Sequence, residues 1–203
     1  MATVKWLGHA SFLIQDGITI YIDPWKLKKS EPKADLILIS HSHYDHFSEP
    51  DIQKISTSRT RIIGAADLKG KIKANFEPAE PGLEFTFNDV SIRTTPAYNT
   101  NKDFHPRSNG WLGFLITAGG ETIYYAGDTD AIPEMSELGK VDLAMLPIGG
   151  KYTMTAEEAA DAINNRIKPA RALPYHWGDI VGKPDDAQKF KKLCACPTEI
   201  QTP

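Results

Sequence analysis

The stretch Asp35-Leu36-Ile37-Leu38-Ile39-Ser40-His41-Ser42-His43-Tyr44-Asp45-His46 (DLILISHSHYDH) passes from a continuous apolar run directly into a cluster of histidine and aspartate. A run such as Asp35–Ser40, almost wholly apolar and rich in β-branched residues, suits a strand covered on both faces. The cluster after it places His41, His43, Asp45 and His46 within six positions and uses three of the chain's six histidines. Imidazole and carboxylate are the ligand types suited to zinc and similar divalent metals. On extended backbone, residues two apart share a side, so His41 and His43 point the same way. A turn after them lets Asp45 and His46 reach a second position close by. One loop can therefore begin two adjacent metal sites. The bland alternative is a solvated loop rich in histidine, and the density of the cluster argues against it.

Working outward, short apolar runs alternate with turn signals. Val4–Leu7, Ser11–Gln15 and Ile18–Ile22 read as strands, with Asp16-Gly17 as the hairpin turn between the last two. Asp23-Pro24 ends the third, because proline cannot continue a central ladder. Pro50–Ser58 reads as a short helix and Arg61–Gly64 as a strand. Leu83, Phe85 and Phe87 alternate with polar residues, Asn88-Asp89 turns, and Val90 and Ile92 resume the alternation. Trp111–Thr117, Thr122–Ala126, Asp142–Leu146 and Ala172–Tyr175 read as further strands. Pro133–Leu138, Thr155–Ile167 and Asp185–Leu193 read as helices. The middle one is the clearest: Thr155 and Glu158 form a capping box, and Ala156, Ala159, Ala160, Ile163 and Ile167 share a face. Strands and hairpins with helices between them occur in both halves. The buried strands end at His41 in the first half and at Asp128 and His176 in the second. This order predicts an α/β fold with two mixed β-sheets and helices on the outer faces.

Composition is that of an ordinary globular chain of 203 residues, 41% hydrophobic and 24% charged. Without a repeat or low-complexity linker, one domain over residues 1–203 is expected. Net charge is −3, so no basic footprint points to nucleic acid. The start lacks an apolar leader, and no run approaches the about 18 apolar residues of a membrane span. A cytoplasmic protein acting on a small molecule is the expectation. Cys194 and Cys196 are too close for an unstrained disulfide and read as small residues packing a helix end.

Two metal sites need more donors than one loop supplies. Asp128, in Tyr125-Ala126-Gly127-Asp128-Thr129-Asp130, ends an apolar strand and carries two oxygens able to bridge two ions. A helix N-cap before Pro133 is its alternative role, which Asp130 suits better. His176, in Pro174-Tyr175-His176-Trp177, also follows a short strand. Alone it would read as a packed, hydrogen-bonded residue, but beside such a cluster it reads as a ligand.

With these residues assembled, His41-Ser42-His43-Tyr44-Asp45-His46 resembles the H-x-H-x-D-H signature of the metallo-β-lactamase superfamily. Asp23, Gly127-Asp128-Thr129 and His176 resemble further elements of that family's pattern. Trp6-Leu7-Gly8-His9-Ala10 and Leu146-Pro147-Ile148-Gly149-Gly150 are similar to the branch holding ascorbate-6-phosphate lactonase and an N-acyl phosphatidylethanolamine phospholipase. The resemblance covers nearly the whole chain. It implies an αββα sandwich and a metal-dependent hydrolase that cleaves an ester, lactone or phosphodiester bond through hydroxide held by two divalent ions, zinc first, with manganese or iron as alternatives. His41 and His43 would bind one ion, Asp45, His46 and His176 the other, and Asp128 both. Asp45 is also the candidate catalytic residue, placed to orient the nucleophile or take its proton. Asp23 and His9 would orient ligands.

The resemblance also exposes a departure. The branch's remaining histidine usually follows Pro-Ala-x, but Pro96-Ala97-Tyr98 leads here to Asn99. His105, six residues on, is the available imidazole. Either the loop folds back to supply His105, or the Asn99 carbonyl binds weakly, or the first site is impaired. Imidazole is the better ligand for zinc-like metals, which favours His105. Tyr98, Lys151, Tyr152 and Trp177 are candidates for lining a substrate pocket, and the polar stretch from Asn99 to Asn109 for a lid. A di-iron redox protein and a non-catalytic metal-binding module are the alternatives on the same scaffold.

Overall fold

A computed structural model describes residues 2–73 and 75–203. The chain forms two six-stranded sheets. The first runs in sequence order through β1 (Thr3–Gly8), β2 (Ser11–Gln15), β3 (Thr19–Ile22), β4 (Leu36–Ile39), β5 (Arg61–Ala65) and β6 (Phe76–Ala79). The second holds β7 (Glu84–Phe87), β8 (Val90–Pro96), β9 (Leu112–Ala118), β10 (Glu121–Tyr125), β11 (Leu143–Pro147) and β12 (Arg171–Tyr175), again in order. Each sheet begins with antiparallel hairpins and changes to parallel pairing, at β3/β4 in the first and at β10/β11 in the second.

Alternation along β4 sets the layers. Leu36 and Leu38 enter the large core between the sheets, shared with Phe12, Ile14, Phe114 and Ile116. Ile37 and Ile39 enter a smaller core on the outer face with Tyr21, Ile52 and Ile55. The expected burial on both faces is therefore present, and α1 (Glu49–Ile55) supplies the outer cover. On the other side α2 (Ala156–Asp161) and α3 (Pro184–Leu193) pack on each other, and α3 on β12. The architecture is the expected αββα sandwich.

Local chemistry explains the details. Thr155 Oγ1 accepts from Glu158 N–H at 3.2 Å and Glu158 Oε2 accepts from Thr155 N–H at 2.8 Å, which completes the capping box of α2. The helix then widens into a π turn over Ala162–Ile167 and stops at Lys168, whose φ is 51°, just before Pro169. Pro133–Glu137 forms 3₁₀ turns, where a helix is the sequence expectation. Gly139 follows too soon for an α-helical ladder to establish. β6 carries no strand signal in the sequence, because Glu77 and Pro78 interrupt it; on an edge strand a proline costs no ladder hydrogen bond. Cys194 caps the C-terminus of α3, and both thiols are free and packed against the main core.

Strand direction positions the site. β3, β4 and β5 are parallel, as are β10, β11 and β12, and β8 runs with β10 because both are antiparallel to β9. The C-terminal ends of β3, β4, β8, β10 and β12 therefore open at one rim of the sandwich. Asp23, His41, the Asn99–His105 segment, Asp128 and His176 all follow those ends, and His9 sits in the β1–β2 turn.

Candidate metal centre

Ser40 leaves β4 with its N–H donating to Asp23 Oδ1 at 2.7 Å. Extended backbone then carries His41 and His43, after which His46 and Phe47 N–H groups both donate to His43 O, at 3.0 and 2.8 Å. That turn swings Asp45 and His46 back toward the same rim. Three sets of donor atoms result, each within 4.8 Å of one another: His41, His43 and His105; His9, Asp45, His46 and His176; and His41, His46 and Asp128. Asp128 lies between the groups, with Oδ2 at 3.3 Å from His105 Nε2 and 3.2 Å from His176 Nε2, and Oδ1 at 3.3 Å from His46 Nε2. Gly127 makes this approach possible. Its φ is 69°, and a Cβ there would stand 2.4 Å from Leu112 O.

His105 folds back beside His41 and His43, their ring centroids 5.6 and 5.3 Å away. Asn99 turns its side-chain oxygen toward His105, accepting from the backbone N–H at 3.0 Å and from Nδ1 at 2.8 Å. With Nδ1–H so engaged, His105 Nε2 is the ring's lone-pair atom and faces Asp128. The loop does not hang free as a lid. Asn99 N–H donates to His105 O at 2.7 Å, and Asp130 accepts from Thr100 N–H at 2.8 Å and from Lys102 Nζ at 2.5 Å. Asp130 is thus a loop fastener; Ile132, with no side-chain bond, occupies the cap position before Pro133.

Asp23 holds the first loop from beneath. Its Oδ2 accepts from His46 Nδ1 at 2.7 Å, Ser40 Oγ at 2.5 Å and Tyr125 Oη at 2.6 Å. Ser40 Oγ in turn lies 2.9 Å from His41 Nδ1, so one buried carboxylate fixes both rings with Nε2 inward. His9 Nε2 lies 2.9 Å from Asp45 Oδ2, and His9 O accepts from His176 N–H at 2.9 Å. His9, Asp23 and His176 all adopt left-handed backbone, with φ of 49°, 45° and 62°. Such conformations cost non-glycine residues energy and concentrate at functional sites.

The donor set suits divalent metal ions. His41 Nε2, His46 Nε2, His176 Nε2 and Asp128 Oδ1 are buried and close together, and apart from the 3.2–3.3 Å contacts of His46 and His176 with Asp128, which are not well-directed hydrogen bonds, they have no partner. Unpaired buried polar atoms are costly, and a cation among them removes that cost. Burial pushes His41, His43 and His9 toward the neutral, metal-binding form. On His46 burial works the same way, but Asp128 and Asp23 outweigh it and hold its pKa well above the ordinary value. Burial also opposes charge on Asp128 and Asp45. His176 and His46 nevertheless keep Asp128 well below the carboxylate range, and the His9 hydrogen bond leads the groups that bring Asp45 down to about 2.

Several participants carry no signal in the sequence. Trp111 packs its indole on His41 and His43, both at 4.7 Å between centroids, and on His105 at 5.5 Å. Its Nε1 donates to Asp67 Oδ2 at 2.9 Å. A cleft of about 210 Å³ opens over the donors, walled by Tyr44, Phe104, Tyr152 and Ile180. Of the lining expected from sequence, Tyr152 is present. Tyr98 instead donates to Glu134 Oε2 at 2.9 Å, Trp177 is buried 4.9 Å from Trp6 with its Nε1 bonded to Pro174 O, and Lys151 is exposed beside Tyr152.

Fold and site together define a class: an αββα sandwich with histidine and aspartate gathered at one rim in metal-binding geometry. A β-lactamase superfamily domain matches residues 3–176. A UPF0173 metal-dependent hydrolase of Thermococcus kodakarensis is 34% identical, over 98% of this chain and 95% of that protein. A crystal structure from Parabacteroides distasonis superposes with a TM-score of 0.89 at 32% identity, covering 98% and 92% of the two chains. Igni18, a metallo hydrolase from the archaeon Ignicoccus hospitalis, gives 0.80 at 26% identity, covering 100% and 95%. The chain belongs to the metallo-β-lactamase superfamily, among the UPF0173 metal-dependent hydrolases. Among the described residues no helix is long and apolar enough to cross a membrane.

Proposed function

We propose that this chain hydrolyses an ester, lactone or phosphodiester bond of a small substrate at a dinuclear centre. His41, His43 and His105 would hold one ion, Asp45, His46 and His176 the other, and Asp128 both. The observation that carries the reading is the convergence of four buried donor atoms that lack well-directed hydrogen bonds, His41 Nε2, His46 Nε2, His176 Nε2 and Asp128 Oδ1. Bound there, two divalent ions supply Lewis acidity and an activated water at neutral pH; zinc, manganese and iron all suit the donors.

The chain's own residues do the rest. Asp23, through Ser40 and directly, keeps the His41 and His46 rings in the tautomer that directs Nε2 inward. Asn99 does the same for His105 and so replaces, by positioning, the ligand that its place in the pattern would otherwise hold. Asp45 lines the cleft and is placed to orient the attacking water and accept its proton. His9 steadies the carboxylate by its bond to Asp45 Oδ2.

The test is metal analysis joined to activity. Purified protein should hold about two divalent ions per chain, and hydrolysis of generic esters and phosphodiesters should disappear with chelator. His105→Ala should lose one ion and Asp45→Ala the activity. Full metal content in His105→Ala would remove His105 from the ligand set, and a metal-free, active protein would end the reading.

A further inference from the structure

Tyr44 and Phe104 are among the few large apolar side chains left exposed, at 68% and 48%, and both stand at the mouth of the cleft. Phe104 meets Tyr152 edge to face, centroids 4.7 Å apart at 90°, and Ile180 faces the same space. Among the described residues no lysine or arginine lines the cleft. The nearby cations are engaged elsewhere: Lys102 on Asp130, Lys26 on Asp179 and over the Trp25 ring, while Lys151 flanks the Tyr152 ring at 5.0 Å outside the lining. A substrate carrying a second charge away from the reacting bond would have to bury it against aromatic and aliphatic walls, which is costly without a partner. The cleft volume, about 210 Å³, is also below the range of pockets for drug-sized ligands.

We propose that the substrate is a compact neutral ester or lactone whose non-reacting arm is an uncharged apolar group, one ring or a short acyl chain, held by Phe104, Tyr152, Tyr44 and Ile180. The proposal rests on the hydrolase reading above and adds the substrate class to it. In the reaction a water oxygen adds to the acyl carbon, the acyl C–O bond breaks, and the departing alkoxide takes up the proton that the water gave to Asp45. An ester gives one carboxylic acid and one alcohol, and a lactone gives one hydroxy acid. Phe104 precedes His105 in the loop fastened by Asn99 and Asp130, so the same loop completes the metal centre and selects the arm.

The zinc-loaded protein is assayed by acid release on methyl phenylacetate and on monomethyl succinate, which share the reacting methyl ester and differ in the charge of the arm. The neutral arm should be favoured by about tenfold or more in kcat/KM. Phe104→Ala and Tyr152→Ala, with wild-type metal content, should each erode that preference through KM. Saturation-transfer NMR with phenylacetamide and malonamate reads the same preference without turnover, wild type beside Phe104→Ala. Equal or better handling of the charged arm in either measurement, or a preference that survives both substitutions, overturns the proposal and leaves the hydrolase reading intact. Two bound ions with no turnover of any ester, lactone or phosphodiester defeats the hydrolase reading, and the binding comparison then decides on the cleft alone.

Discussion

At Asn99 the side-chain oxygen takes two hydrogen bonds from His105, and the side-chain amide donates to Tyr152 O at 3.1 Å. A residue in that arrangement acts on the metal centre through its neighbour. If His105 is a ligand as proposed, Asn99→Ala should weaken metal binding by about tenfold or more, as loss of a ligand's orienting partner does. Competition with a chromogenic chelator measures it, and unchanged metal affinity would show that the bond does not orient His105. Trp111 and Asp67 form a second such pair, since the indole that backs three imidazoles is anchored by one part-buried bond. Trp111→Phe leaves the Asp67 carboxylate without its donor and should cost about 1–3 kcal/mol of stability. Adding Asp67→Ala should recover part of that cost, and strict additivity in denaturant titrations would refute the coupling. At this scale the histidines and aspartates are legible from the sequence, because few other residue types bind metals. Asn99, Tyr125 and Trp111 are not, since their roles come from hydrogen bonds and ring contacts made only after folding.

Asp51 in α1 accepts from the Lys26 and Leu27 backbone N–H groups at 2.9 and 3.2 Å, from Ser48 Oγ at 2.7 Å and from Lys54 Nζ at 2.8 Å. One carboxylate thus ties the β3–β4 connection to the helix. Burial raises its pKa, but the bonds from Lys54 and Ser48 outweigh burial and lower it. Its stabilisation is therefore complete above the unfolded value of about 4 and is lost as pH falls through the lower folded value. Asp51→Asn should be less stable than wild type by about 1–3 kcal/mol at pH 7, and thermal melts should show the gap closing below about pH 4. A gap independent of pH would assign the effect to packing. Elements were legible where the local signal was strong, as in the continuous apolar run of β4 and the capped, periodic α2. They were not where a tertiary neighbour sustains a weak pattern: β6 exists because β5 offers it an edge, and the Pro133–Glu137 turns form where a full helix would not fit before Gly139.

Across the molecule one apolar core joins the facing surfaces of both sheets, and the donors lie along the rim above it. We therefore expect the chelated protein to unfold in a single transition, as one domain. Saturating zinc should raise its midpoint by about 5–10 °C, from roughly 2.7 kcal/mol at a hundredfold excess over the dissociation constant. Two separated transitions would mean that the sheets unfold independently, and an unmoved midpoint that zinc does not favour the folded chain. The sequence by itself determined the donor types, the β-rich pattern and the layered α/β class, because ligand chemistry and hydrophobic alternation are properties of neighbouring residues. Only the tertiary structure decided which donors meet. Residues as distant as His9, His41, His105, Asp128 and His176 share one space because parallel strands end at the same rim and because the Asn99 loop closes on itself. Those are consequences of strand pairing across the chain, which no local pattern encodes.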